Sequence, residues 1–323
     1  MPVVHYDSEA VEGEALPPTR RRFTRRGAWI SFLLIPPIAV MALFVVYPIL
    51  SALAYAFYDW TGLRREGFVG LENFRRVLFE PPYAAITWNA FQHNVIVFFV
   101  LMVVQNGVGF LLAWCLWREL PGARFHRVAV FLPVVLSTVI IGYMWKLFFH
   151  PIFGVVNQLL ELVGLGALAQ PWLGQSDTAL GALILVNAWA WVGFPTLVFL
   201  AGLQRIPTEV LEAARMETDS EWTITRRIVW PLVAPSTTVV FILLFIGSFN
   251  WFELPYIMVG LDGSPFGSTD VLGLVFYRTA FGNVSAGVQD FGLGSALAVL
   301  MFLFIAVFAT GWTLYLRKRE LDV

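Results

Sequence analysis

The stretch PTEVLEAARMETDSEWTITRRIVWPLVAP, residues 207–235, is mostly polar, yet it lies between two apolar runs near the C-terminal end of an otherwise oily chain. Of the 323 residues 58% are hydrophobic and 13% charged, with a mean hydropathy of +0.73, values that belong to a membrane protein. A helix needs about 20 apolar residues to cross roughly 30 Å of hydrocarbon. Six runs meet that length, at 29–57, 91–117, 128–149, 179–203, 237–259 and 291–316. A bilayer core offers no water to loose backbone groups, so the spans must be helical. The fold expected is all-α, a polytopic membrane protein of six transmembrane helices with no strand-rich domain.

The polar stretch reads as two short helices. Pro207 and Thr208 open the first, Glu209 and Glu212 place negative charge near its N-terminus, and Glu212 stands within reach of Arg215. Thr218 followed by Glu221 has the form of a capping box for the second helix, with Arg226 and Arg227 in its last turn and Pro231 at its end. The acids would be repelled by anionic lipid, and Ala213 and Ala214 leave a side-chain-poor surface open to another protein.

Basic residues orient the chain. With the N-terminus inside, the cytoplasmic segments hold Arg20, Arg21, Arg22, Arg25, Arg26, Arg118, Arg124, Arg127, Arg205, Arg215, Arg226, Arg227, Arg317, Lys318 and Arg319. The outer segments hold Arg64, Arg65, Arg75, Arg76 and Arg278, a bias that sets both termini in the cytoplasm. Residues 1–28, acidic and then arginine-rich without apolar period, read as a disordered cytoplasmic tail, and 317–323 as a short C-terminal one. The first span is too long for a signal-peptide core and is read as retained. Beyond the fifth span, GLDGSPFGSTD and VLGLVFYRTAF (within 260–290) form a turn-rich piece and an apolar helix too short to cross.

EAARMETDSEWTITRRIVWPLVAP resembles the EAA loop of permease subunits in binding-protein-dependent ABC importers, with Glu212, Ala213, Ala214, Ile228 and Pro231 at matching positions. Thr218 stands where the family has glycine, so the turn between the two helices should be reshaped. FVGLENFRRVL (68–78), FLPVVLSTVIIGYMWKLFFHPIFGVVNQLL (131–160), WLGQ (172–175) and FGLGSALAVL (291–300) are similar, in order and spacing, to the carbohydrate branch of the same family, the maltose and glycerol-3-phosphate type. The resemblance implies a type I ABC importer permease in a bacterial cytoplasmic (inner) membrane, spanning 29–316 and carrying a sugar or sugar-like solute. Its partners would be a second homologous permease, two ABC ATPase subunits, an extracytoplasmic solute-binding protein and membrane lipid, with no nucleic acid. The loop at 205–235, through Glu212, Ala213, Ala214, Glu217, Thr218, Ile228 and Pro231, would dock on the ATPase.

A phosphate-binding loop requires a lysine preceded by glycine, and the two lysines here follow Trp145 and Arg317. The chain is therefore read as no enzyme, without catalytic or metal residues of its own, and ATP and Mg would belong to the partner ATPases. Polar groups at bilayer depth mark the substrate path. Asn187 and Trp191 are four residues apart on the fourth span, and Asn250 and Glu253 three apart on the fifth, each pair on one helical face. Amides and a carboxylate bind hydroxyls and an indole face stacks on a pyranose ring, so these four are the candidate carbohydrate contacts. Gln105, Asn106 and Tyr143 are secondary ones. Prolines 36, 37, 48, 133, 195 and 255 predict kinked spans. A self-sufficient secondary carrier or channel for a small polar solute is the alternative; it would show internal repeats or several buried carboxylates.

Overall fold

The computed structural model describes residues 25–62, 64–118, 122–282 and 289–320. Of the two expected tails, 1–24 and 321–323 lie outside these residues, while 25–28 and 317–320 belong to helices rather than to tails. Internal contacts divide the chain after Ser51. The first part comprises α1 (Arg25–Met41), a π turn (Ala42–Val46) and the start of α2 (Tyr47–Tyr55).

The second part begins with a feature that the sequence reading did not contain, a hairpin of β1 (Tyr58–Thr61) and β2 (Arg64–Phe68). Then follow α3 (Glu72–Phe79), α4 (Tyr83–Trp117), α5 (Ala123–Val135), α6 (Thr138–Phe148), α7 (Val155–Leu162), α8 (Ser176–Trp191) and α9 (Gly193–Leu203). The polar loop supplies α10 (Thr208–Glu217) and α11 (Glu221–Ile224). A π turn (Thr225–Val229) leads into α12 (Trp230–Phe249), followed by α13 (Glu253–Val259), α14 (Leu272–Phe281) and α15 (Phe291–Glu320).

Four stretches, Phe32–Tyr55, Tyr83–Trp117, Glu221–Phe249 and Phe291–Tyr315, are single helices long and apolar enough to cross a membrane. The other two spans are bent pairs, α5 with α6 at 98° and α8 with α9 at 43°, which completes six. Proline accounts for most of the irregularity, because its ring removes a donor and crowds the carbonyl four residues back. Both π turns end two residues before a proline, at Val46 ahead of Pro48 and at Val229 ahead of Pro231. The wider turn takes up the lost bond and the helix continues. Pro231 therefore does not end the second loop helix as expected; helix runs unbroken from Glu221 into the fifth span. At Pro255 the outcome is a break, at 250–252, whereas α5 runs through Pro133 and ends at Val135, ahead of a break at 136–137.

α4 is the axis of the second part and packs against α3, α8, α9, α12 and α14. At 35 residues it is about 52 Å long, more than the hydrocarbon requires, so its ends project beyond the apolar slab. Between α12 and α15 the contact is an aromatic ladder: Phe241 stacks on Trp312 at 4.4 Å, Phe245 on Phe308 at 3.8 Å, and Phe249 meets Phe304 at 4.9 Å. Each step of four up α12 answers a step of four down α15, which is antiparallel helix periodicity written in rings, each pair contributing about 1 kcal/mol beyond its buried area. α14 is the expected short apolar helix, with Leu272, Leu274, Val275 and Ala280 buried. Its close approach to α15 depends on Gly294, where a Cβ would lie 2.5 Å from that of Ala280.

At the end where α4 and α15 begin, buried Asn73 donates from Nδ2 to the carbonyls of Ala56 and Tyr58 at 3.0 and 2.8 Å, fixing the chain's entry into the hairpin. Asp290 joins four elements there. Its Oδ1 accepts from the Leu293 amide at 2.9 Å, its own amide donates to Thr279, its backbone bridges Gly62, and Oδ2 lies 3.6 Å from Arg76. Burial pushes the Asp290 carboxyl above the ordinary carboxylate range, outweighing the Leu293 amide and the Arg76 guanidinium that pull it down. A carboxyl raised in the folded state makes the fold most stable when protonated, and that stability is lost as pH rises from the ordinary value through the raised one. Asp290→Asn, which keeps the acceptor and drops the charge, is expected to melt higher than the parent at neutral pH, with the gain shrinking to nothing as pH falls below the ordinary carboxylate value. Thermal unfolding in detergent across pH measures it.

Candidate functional site

The loop helices form one face of an apolar cluster. Leu211 and Ala214 of α10 and Ile224 and Val229 of the following helix are buried with Ala113 and Leu116 of α4, Phe199, Leu200 and Leu203 of α9, and Val233 of α12. Ala214 thus faces inward and, contrary to the sequence expectation, forms no outward surface with Ala213. The exposed side of α10 carries Glu212, Ala213, Arg215, Met216 and Glu217. Met216 of α10 and Trp222 of α11, at 89% and 73% exposure, are the loop's most prominent apolar groups. Ile228 packs against the cluster, and Pro231 is exposed in the first turn of α12.

The turn between the helices takes a form that suits threonine. Thr218 caps the C-terminus of α10 in extended backbone, φ −155°, so the left-handed conformation that glycine would allow is not used. Its Oγ1 accepts from the Ser220 amide at 3.2 Å. The helix restart is capped two residues later than expected, by Ser220, whose Oγ accepts from the Thr223 amide at 3.3 Å. Arg215 does not turn to Glu212; its Nε lies 3.9 Å from Glu221. Glu221 also pairs with Arg118 at the end of α4, whose guanidinium lies 4.9 Å over the Trp114 ring. One carboxylate therefore ties both loop helices to α4.

The four candidate substrate contacts come together. A cavity of about 410 Å³ is lined by Asn187, Trp191, Asn250 and Glu253, with Thr138, Phe194, Ser248, Trp251 and Phe252 completing its less aliphatic side. Three helix discontinuities meet at it: Thr138 opens α6, Trp191 and Phe194 flank the α8–α9 bend, and Asn250 to Glu253 span the α12–α13 break. The sequence reading placed Asn250 and Glu253 on one helical face. They are instead the C-cap of α12 and the first residue of α13, separated by the non-helical Trp251 and Phe252. The cause is Pro255, which crowds the Trp251 carbonyl. Asn187 and Trp191 do share α8.

Asn187 is buried and its Nδ2 lies 3.5 Å from Gln105 Oε1, a long contact that leaves it hydrogen-bonding capacity. Trp191 and Asn250 are exposed to the opening. Asn106, whose Nδ2 meets the Met102 sulfur at 3.0 Å, and Tyr143 are not among the lining residues. Sequence reasoning missed Ser248 and Trp251. Ser248 Oγ and Trp251 Nε1 are buried and make no hydrogen bond within the protein. Both residues line the cavity, although these two atoms themselves are shielded from it. The only signal for either was proximity to the break that Pro255 announces.

No family model matches the chain. It is 30% identical to the trehalose/maltose transport system permease protein MalF of Thermococcus litoralis, over 88% of this chain and 92% of that one. Among solved structures, a bacterial ABC transporter involved in the import of the acidic polysaccharide alginate has a chain that matches with a TM-score of 0.76 at 19% identity, covering 92% of this chain and 97% of that chain. The bacterial alginate ABC transporter in complex with an alginate pentasaccharide-bound periplasmic protein matches with a TM-score of 0.72 at 18% identity, covering 89% and 93%. The fold is that of a type I ABC importer permease. At 30% identity over 88% of its length to a curated permease, this chain belongs to the family of ABC transporter permease subunits.

Proposed function

We propose that this permease carries a saccharide across the bacterial inner membrane, paired with a second homologous permease and fed by an extracytoplasmic solute-binding protein. Two separate ATPase subunits, which hold the ATP and Mg, would drive it through the loop at 205–235. The saccharide class is supported by the trehalose/maltose and alginate systems to which its relatives belong. The binding protein is supported by the periplasmic partner of the alginate importer. The basic-residue bias of the sequence supports both termini, and therefore the loop, in the cytoplasm.

The observation that carries the coupling role is the burial of the loop's inner face in one cluster with α4, α9 and α12. A load on the exposed Glu212, Ala213 and Glu217 is delivered to three helices together, since close-packed interiors transmit strain rather than absorb it. Thr218 and Ile228 hold the turn and the inner packing, and Pro231 sits where the loop helix enters its span. At the other end of the path, Asn187, Trp191, Asn250 and Glu253 offer amide, indole and carboxylate groups to hydroxyls at the level of the three helix breaks.

Glu212→Lys and Ala213→Asp are expected to leave the permease in the membrane and the ATPase turning over, while uptake falls about tenfold or more. Normal uptake by both variants would overturn the docking role, and assays of ATP hydrolysis and solute uptake in proteoliposomes of the full complex separate the outcomes. Ala214→Asp places a carboxylate in the inner cluster and is expected to destabilise the chain by about 2 kcal/mol or more. Thermal melting should then distinguish it sharply from Ala213→Asp; equal melting of the two would contradict the inward orientation. Saturable sugar flux through vesicles containing this chain alone would favour the self-sufficient carrier instead.

A further inference from the structure

The charges around the cavity are one-sided. Glu253 is the one ionisable side chain among the described residues that line it, and none of them is a lysine, arginine or histidine. The remaining polar lining, Thr138, Asn187, Ser248, Asn250 and Trp251, is uncharged and suited to hydroxyl groups. Much of the remaining lining is aliphatic, Val97, Leu101, Val240, Leu243, Leu244 and Leu254, so a charge on the guest is less screened there than in open water. Arg278, a base near the outer end of the bundle, is held by Asp270 in a two-point pair with contacts of 2.5 and 2.7 Å and does not line the cavity.

Resting on the reading of this cavity as a saccharide station, we infer that it selects saccharides without negative charge, neutral or amino-bearing, and that Glu253 is the residue that turns acidic saccharides away. A guest carboxylate within a few ångströms of Glu253 meets like charge and no compensating base, whereas a neutral ring loses nothing and an ammonium gains an opposite charge. The half-exposed indole of Trp191 suits the same guests, since its face accepts the C–H side of a pyranose or a cation. The same fold in the alginate importer serves an acidic polysaccharide, so the discrimination resides in side chains rather than in the backbone.

Three probes that share one ring and differ in one group test this: glucose, glucosamine and glucuronate, titrated by saturation-transfer difference NMR onto the full-length chain in lipid nanodiscs. Glucose and glucosamine are expected to bind, and glucuronate on the order of tenfold more weakly, as expected for like charges a few ångströms apart that solvent still largely screens. Glu253→Gln should bring the ratio of glucuronate to glucose affinity to about one, and that ratio is the readout whether or not glucose binding itself shifts. Equal binding of glucuronate and glucose by the unaltered chain, or discrimination that survives Glu253→Gln, would overturn the charge selection alone. If none of the three sugars gives a signal, or if Asn187→Ala with Trp191→Ala leaves every signal intact, the cavity is no saccharide station and the charge selection falls with it.

Discussion

A backbone amide or carbonyl inside hydrocarbon has to find its partner in protein, and every irregularity of this fold is an answer to that demand. Two prolines are absorbed by π turns, at Ala42–Val46 and Thr225–Val229, where one widened turn re-forms the ladder and the helix continues. At Leu136–Ser137, Val192 and Asn250–Phe252 the helix stops or bends, and these discontinuities converge on one cavity. The convergence follows from the constraint itself: unpaired backbone is tolerated in a membrane only where protein or a polar interior surrounds it. Broken helices, capping side chains and the cavity's polar wall are thus parts of the same solution.

The six spans and the polar loop were legible because hydropathy over some 20 residues is a strong signal that packing seldom overrides. The hairpin was not. Strands of four and five residues in YDWTGLRREGF carry too few alternations to register, and what stabilises them, the buried amide of Asn73 and the bridge from Gly62 to Asp290, comes from distant segments. Proline told which spans would be irregular but not whether a given one would bulge or break, since that depends on whether neighbouring helices supply room and partners.

The substrate-side residues show how a local inference can reach the right place by a wrong route. Asn250 and Glu253 were joined by helical spacing, yet they line one cavity because the helix ends between them. In the loop the error ran the other way. Ala213 and Ala214 read as one smooth surface, but neighbours on a helix point about 100° apart, and Leu211 with Ala214 already gave the three-residue period of a buried stripe. Trp251 and Ser248 carried no signal beyond their nearness to Pro255, because lining a cavity is a property of surroundings rather than of residue type.

Because α11, the π turn and α12 form one uninterrupted helix from Glu221 to Phe249, the polar loop and the cavity wall from Val240 to Ser248 share a single backbone. The same stretch is gripped on another face by the rings of α15, through Phe241, Phe245 and Phe249. About 36 Å of helix separates Phe245 from Glu221, so one continuous hydrogen-bonded column joins a polar surface patch to an interior wall, with no hinge of its own between them.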